Sequence, residues 1–195
     1  MDRFNYLLVI VGIVLGLGIT HLLSGFVDYV HNRRRLRWSG LQLLWMMILF
    51  LMQVQYWYTM FQVRNLGEDF SRYLASLLFP TLLYIASGVL VPKLPESQTV
   101  DLRESYRDNQ RWFFGICALG MVVLVVHSQL VYGRSWVDLH EHLTEGVNLF
   151  RLIGLGFLIV LMIVRGWLHL LLSLAALAAL GVFIANQMLN LSLFG

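Results

Sequence analysis

His21, Ser24 and Asp28 stand three and four residues apart in an apolar run, so on a helix they share one face with Gly18 and Gly25. An imidazole, a hydroxyl and a carboxylate in file could relay a proton or coordinate a small ion, and ionisable groups at membrane depth are functional candidates by default. The structural alternative is that His21 and Ser24 hydrogen-bond neighbouring helices while Asp28 snorkels toward the arginines that follow it. Gly12 and Gly16 fall roughly opposite and form a GxxxG pair, which lets another backbone approach closely. Small and polar residues on both sides place this helix near the centre of a bundle and make Gly12 and Gly16 a candidate contact in a homo-oligomer.

Further polar residues reach comparable depth. Gln55, Tyr58, Thr59 and Gln62 share a face of the second apolar segment, and His127, Gln129, Asn186 and Gln187 lie at similar levels of later ones. Together they could line an external vestibule for a small solute. Alternatively they act as interhelical glue, each contributing on the order of 0.6–2 kcal/mol. Arg151 lies one or two turns into its segment, where it snorkels outward, pairs with Glu145 or Glu141, or binds an anion.

Asp138, His140, Glu141, His142 and Glu145 raise a metal hypothesis, because imidazole and carboxylate together suit zinc. No HExxH accompanies them, and surface clusters of this kind occur without a metal. Haem b is the alternative cofactor, since bis-histidine ligation takes two imidazoles from different helices at matching depth. His127 and the loop residues His140 or His142 are all near the outer face, so one such site is geometrically conceivable. His21 and His169 meet it poorly, their depths differing by roughly 10 Å at 1.5 Å per residue. No P-loop, GxGxxG or nucleophile elbow is present and no lysine lies within an apolar run, so the sequence offers no enzyme motif.

The elements that would position these residues follow from composition. Of 195 residues, 58% are hydrophobic and 13% charged, against roughly 25% charged in a soluble domain. A bilayer removes the need for the missing charges. The single cysteine, Cys117, excludes an intrachain disulfide or a thiolate cluster. Apolar runs place six spans at about 4–30, 41–63, 73–91, 112–132, 145–164 and 167–191. The expected fold is therefore an all-α, polytopic transmembrane bundle of one domain. Pro80 interrupts the third span's backbone bonding, which neighbours must re-satisfy. Arg165 and Gly166 mark a tight turn between the last two spans. The stretch from Pro92 to Arg111 reads as the longest polar loop.

Placed on this topology, nine of the 14 Lys and Arg fall on one side: Arg33, Arg34, Arg35, Arg37, Lys93, Arg103, Arg107, Arg111 and Arg165. Positive residues concentrate on the cytoplasmic side, so both termini are expected outside, N-out and C-out. The net charge of +3 is then a topology signal and not a nucleic-acid one. Two three-helix halves would be inverted relative to each other, but no matched motif links them.

The stretch Gly16-Leu17-Gly18-Ile19-Thr20-His21-Leu22-Leu23-Ser24-Gly25, the arginines after it, Leu44-Trp45 and Gln53-Val54-Gln55-Tyr56-Trp57 resemble a family of small, uncharacterised bacterial multi-pass membrane proteins. The resemblance is strongest over the first 60 or so residues. It implies a bacterial inner membrane and supplies no activity, substrate or cofactor. Three functions are expected in turn: passage or sensing of a small solute or ion without catalysis, haem-based electron transfer, or service as a structural partner subunit in a membrane complex. In the last, the basic stretch Lys93–Arg111 or the cluster Arg33–Arg37 docks a cytoplasmic protein or anionic lipid.

Overall fold

A run of about 20 apolar residues in hydrocarbon folds as a helix, because only a helix satisfies its N–H and C=O groups within its own segment. The computed structural model describes residues 3–62, 70–92, 99–132 and 146–192, with side chains over 5–60, 73–92, 99–128 and 149–186. Six helices run through these residues: α1 (Arg3–His31), α2 (Gly40–Gln62), α3 (Phe70–Leu90), α4 (Leu102–Tyr132), α5 (Gly146–Ile163) and α6 (Trp167–Ser192). Five are long and apolar enough to cross a membrane, while α5 holds the shorter apolar stretch Leu149–Ile163. The protein is an all-α bundle of apolar helices and a multi-pass membrane protein.

Successive helices alternate in direction. Gln42, near the start of α2, donates from Nε2 to Tyr29 Oη near the end of α1 at 3.0 Å and to the carbonyl of Leu90, the last residue of α3, at 2.7 Å. Gln110 in α4 donates to the carbonyls of Leu161 at 2.7 Å and Val164 at 2.9 Å, where α5 ends. Both glutamines act on carbonyls that a helix C-terminus leaves without intrahelical partners. Each caps the end of a neighbouring helix from the side. Gly166 closes the α5–α6 turn with φ +77°, a left-handed conformation open to glycine at no steric cost.

The end of the bundle that holds residues 31–40, 90–92, 99–103 and 163–167 carries its own clasp. Strands β1 (Leu36–Arg37) and β2 (Val100–Asp101) pair in parallel, Leu36 opposite Val100 and Arg37 opposite Asp101. Asp101 also caps α4, its Oδ1 accepting from the N–H of Arg103 at 2.9 Å and of Glu104 at 3.3 Å. Ser39 Oγ caps α2, accepting from the Gln42 N–H at 3.4 Å.

The core sits among α2, α3 and α4. Trp45 meets Phe113 and Phe114 edge-on, with ring centroids 5.5 and 4.8 Å away. α1 does not occupy the centre expected of it. It packs against α3 and α2 through Leu7, Val11, Leu15, Gly18, Leu22, Gly25 and Tyr29, and its opposite face is bare. The glycines explain the reversal. A Cβ at Gly18 would collide with the Gln53 carboxamide and one at Gly25 with Val91, so these positions mark close approach inward.

A second correction concerns α4, which begins at Leu102 and not near Trp112. Leu102, Tyr106 and Gln110 are buried while Arg103, Glu104, Arg107, Asp108 and Arg111 are exposed. That amphipathic pattern hides from an apolar-run criterion. At 31 residues α4 extends about 46 Å, well beyond a hydrocarbon core of about 30 Å.

Pro80 lies inside α3, and its ring nitrogen cannot donate to the carbonyl of Ser76, four residues earlier. The phenol of Tyr56 donates to that carbonyl at 2.9 Å. The neighbouring helix thus supplies the missing bond. Tyr56→Phe should destabilise the bundle by about 1–3 kcal/mol by orphaning a buried carbonyl. In a Pro80→Ala background the restored N–H takes over, and the cost of Tyr56→Phe should fall close to zero. Unfolding of the four proteins in detergent checks this, and equal costs in both backgrounds would refute the exchange.

Candidate functional site

The polar face read along α1 does not line an interior path. Ser24 and Asp28 are exposed on the outward side, and His21 is half-buried with its Nε2 lacking a hydrogen-bond partner. Asp28 contributes its backbone carbonyl, which accepts from the Asn32 carboxamide at 2.9 Å. Gly12 approaches Trp57 of α2, while a Cβ at Gly16 would meet nothing within 4 Å.

The residues expected around an outer vestibule make separate contacts. Gln55 and Thr59 bond one another within α2: Thr59 Oγ1 donates to the Gln55 carbonyl at 2.9 Å and lies 3.4 Å from Gln55 Nε2. His127 is buried against α3, its Nε2 2.8 Å from Ser76 Oγ. Arg151 donates to the Leu124 carbonyl at 3.2 Å. Asn186 is exposed on α6, beside a groove shared with Phe150 and Phe183. The side chains of Gln62, Gln129 and Gln187 lie outside the described residues, as do Asp138, His140, Glu141, His142 and Glu145. The metal cluster and the histidine pair with His127 therefore fall there too. Among the described residues no group of three metal-ligating side chains gathers. Ligation of a haem by His127 Nε2 would cost its contact with Ser76.

Most other buried polar side chains join helices. Gln53 donates to Ser87 Oγ at 3.2 Å, and Ser87 Oγ to the Leu83 carbonyl at 2.8 Å. Trp45 Nε1 donates to Ser173 Oγ at 3.0 Å, which donates in turn to the His169 carbonyl at 2.8 Å. His169 Nε2 lies 2.7 Å from Tyr106 Oη. Its Nδ1 is buried without a hydrogen-bond partner.

One arrangement is open. Between the first turns of α2, α4 and α6, at the arginine-rich end, lies a cleft of about 400 Å³. Arg103, Arg107 and Arg165 stand at its edge, exposed, and Ser39, Tyr106, Gln110 and His169 form buried polar parts of its lining. The ion pair among described residues at this end joins Arg37 to Asp101 at 3.8 Å and leaves those three arginines without a carboxylate partner. The N-termini of α2, α4 and α6 lie at this end together with the C-termini of α1, α3 and α5, so the helix dipoles largely offset one another and the arginines supply the positive charge. Chemically, the arrangement offers guanidinium donors along one turn of α4 and across the α5–α6 turn, the groups that an anion would use.

Sequence reading passed over this cleft because its parts come from segments about 60 residues apart. A signal was present in the 102–111 stretch. Arg103 and Arg107, and Tyr106 and Gln110, recur at four-residue spacing, which marks a helix and not a loop.

Gln110 couples the cleft to the end of α5. Gln110→Leu should cost about 1–2 kcal/mol, as expected for interhelical bonds in membranes. It should also raise amide hydrogen exchange selectively over residues 161–170. Unchanged exchange there would show that the cap is not holding the turn. Comparison of the chain with protein-family models, curated proteins and solved structures returned no match.

Proposed function

We propose that this chain is a non-enzymatic protein of the bacterial cytoplasmic membrane that binds and senses an anion on its cytoplasmic face. The observation that carries the reading is the cleft at the starts of α2, α4 and α6, with three arginines that have no carboxylate partner among the described residues. Sensing is favoured over passage because polar groups at depth are largely occupied with one another: Ser76 with His127, Gln55 with Thr59, Trp45 with Ser173. The bacterial assignment rests on the resemblance of the Gly16–Gly25 stretch.

The proposed topology has six crossings, N-out and C-out. α5 supports the sixth. Its 18 residues rise about 27 Å, close to the hydrocarbon thickness of about 30 Å. It also runs antiparallel to α4 along its length, with Met162 beside Gly115, Met121 beside Gly154 and Arg151 on Leu124. Arginines at 33, 34, 35, 37, 103, 107, 111 and 165 share one end, which the positive-inside rule puts in the cytoplasm.

Two experiments test this. Purified protein should gain several degrees in Tm from at least one of inorganic phosphate, citrate or an anionic lipid, and the Arg103→Gln/Arg107→Gln/Arg165→Gln variant should gain none. If no anion acts through the arginines, the reading fails. For orientation, Arg34→Cys in a Cys117→Ser background should react with an impermeant maleimide only after spheroplasts are broken. Labelling of intact spheroplasts would invert the topology.

A further inference from the structure

We infer that the cleft takes the phosphate of an anionic phospholipid drawn from the adjoining leaflet. This rests on the anion-binding reading and names its ligand.

The cleft lies at the level where headgroups sit. Trp38, Trp112 and Trp167 all belong to this end of the bundle, with 40%, 73% and 74% of their surface exposed. Indole rings exposed at a helix end settle at the membrane interface. A ligand can therefore enter from the side, out of the lipid, as well as from water.

The walls divide by chemistry. Arg103, Arg107 and Arg165 form a cationic edge, and Leu41, Trp167 and Leu170 form an apolar one. A soluble anion would use only the first. A phospholipid uses both, its phosphate oxygens accepting from guanidinium forks that match them in geometry. First-turn N–H groups of α6 add donors, because Val164, Arg165 and Gly166 offer no side-chain cap there, unlike Ser39 before α2 and Asp101 before α4. The volume of about 400 Å³ is that of a small-molecule pocket, typically about 300–1,000 Å³.

The apolar wall also continues. Leu170, Leu174, Ala178 and Val182 follow at four-residue steps along α6 and all are exposed. They make a ridge leading from the cleft into the bilayer, along which acyl chains can lie. α6 is the least covered of the five long apolar helices, joined to α2 and α4 by the Trp45–Ser173 and Tyr106–His169 contacts. A lipid seated between Arg103, Arg107 and Arg165 would bridge α4 to the turn that begins α6, and so fasten that helix.

Full-length protein in detergent is offered phosphatidylglycerol, phosphatidylcholine or inorganic phosphate, with bound lipid counted by native mass spectrometry and Tm followed in parallel. The expected result is selective retention of phosphatidylglycerol with a rise in Tm. Arg107→Gln/Arg165→Gln should weaken it by about tenfold, while Arg33→Gln/Arg34→Gln, the same charge change outside the cleft, should weaken it far less. Leu170→Gln, on an exposed position, should weaken phosphatidylglycerol binding with all arginines in place. Equal retention of both lipids, or retention indifferent to the cleft arginines, overturns the inference. Arginine-dependent stabilisation by inorganic phosphate without lipid retention overturns it too, but leaves the anion-binding reading standing. No arginine-dependent effect of any anion removes both.

Discussion

Hydrocarbon offers no hydrogen bonds, and this constraint orders the whole bundle. Every carbonyl that a helix leaves open must find a donor from another helix, or the segment pays several kcal/mol for it. The recurrent solution here is a side chain from a neighbour reaching a backbone oxygen: Gln42 to Leu90, Gln110 to Leu161 and Val164, Tyr56 to Ser76. Two of these carbonyl sets belong to helix ends and one to the gap that Pro80 leaves. The polar core residues thus sit where backbone valence is incomplete. Two of the bonds tie the first part of one helix to the end of another, and the third joins α2 to the interior of α3.

That rule separates what was legible in the sequence from what was not. The apolar runs stand out because the membrane demands them, and Arg165-Gly166 was a readable break in the last of them, now seen as a left-handed glycine turn. Pro80 carried its own requirement for an outside donor. The facing of α1 was not readable from polarity. In water the buried side is the apolar one, but in lipid both sides are apolar, and inward positions are marked by smallness. Gly18 and Gly25 turned inward for that reason, while Ser24 and Asp28 stayed outside. The start of α4 was missed because Arg103 and Glu104 cancel the hydropathy that Leu102 and Tyr106 contribute.

The cleft was legible only in fragments. Ser39 ends a loop, Arg107 lies in a stretch read as polar, and Arg165 served as a turn marker. Their convergence depends on antiparallel packing of α4 with α5 and on the parallel ladder joining β1 to β2, neither of which local pattern reveals. Three of the nine cations that the charge count groups together, Arg103, Arg107 and Arg165, also line the cleft.

The seat of α6 bears on how the protein is made. Helices leave the ribosome in order, so α2 and α4 are in the bilayer before α6 exists. Until α6 arrives, the indole N–H of Trp45 has no Ser173, and the phenol of Tyr106 has no His169. Without α6, Trp45 and Tyr106 would each lose the partner that they have in the folded bundle. α6 thus completes the hydrogen bonding of two side chains that α2 and α4 bring into the bundle, and its packing is part of theirs.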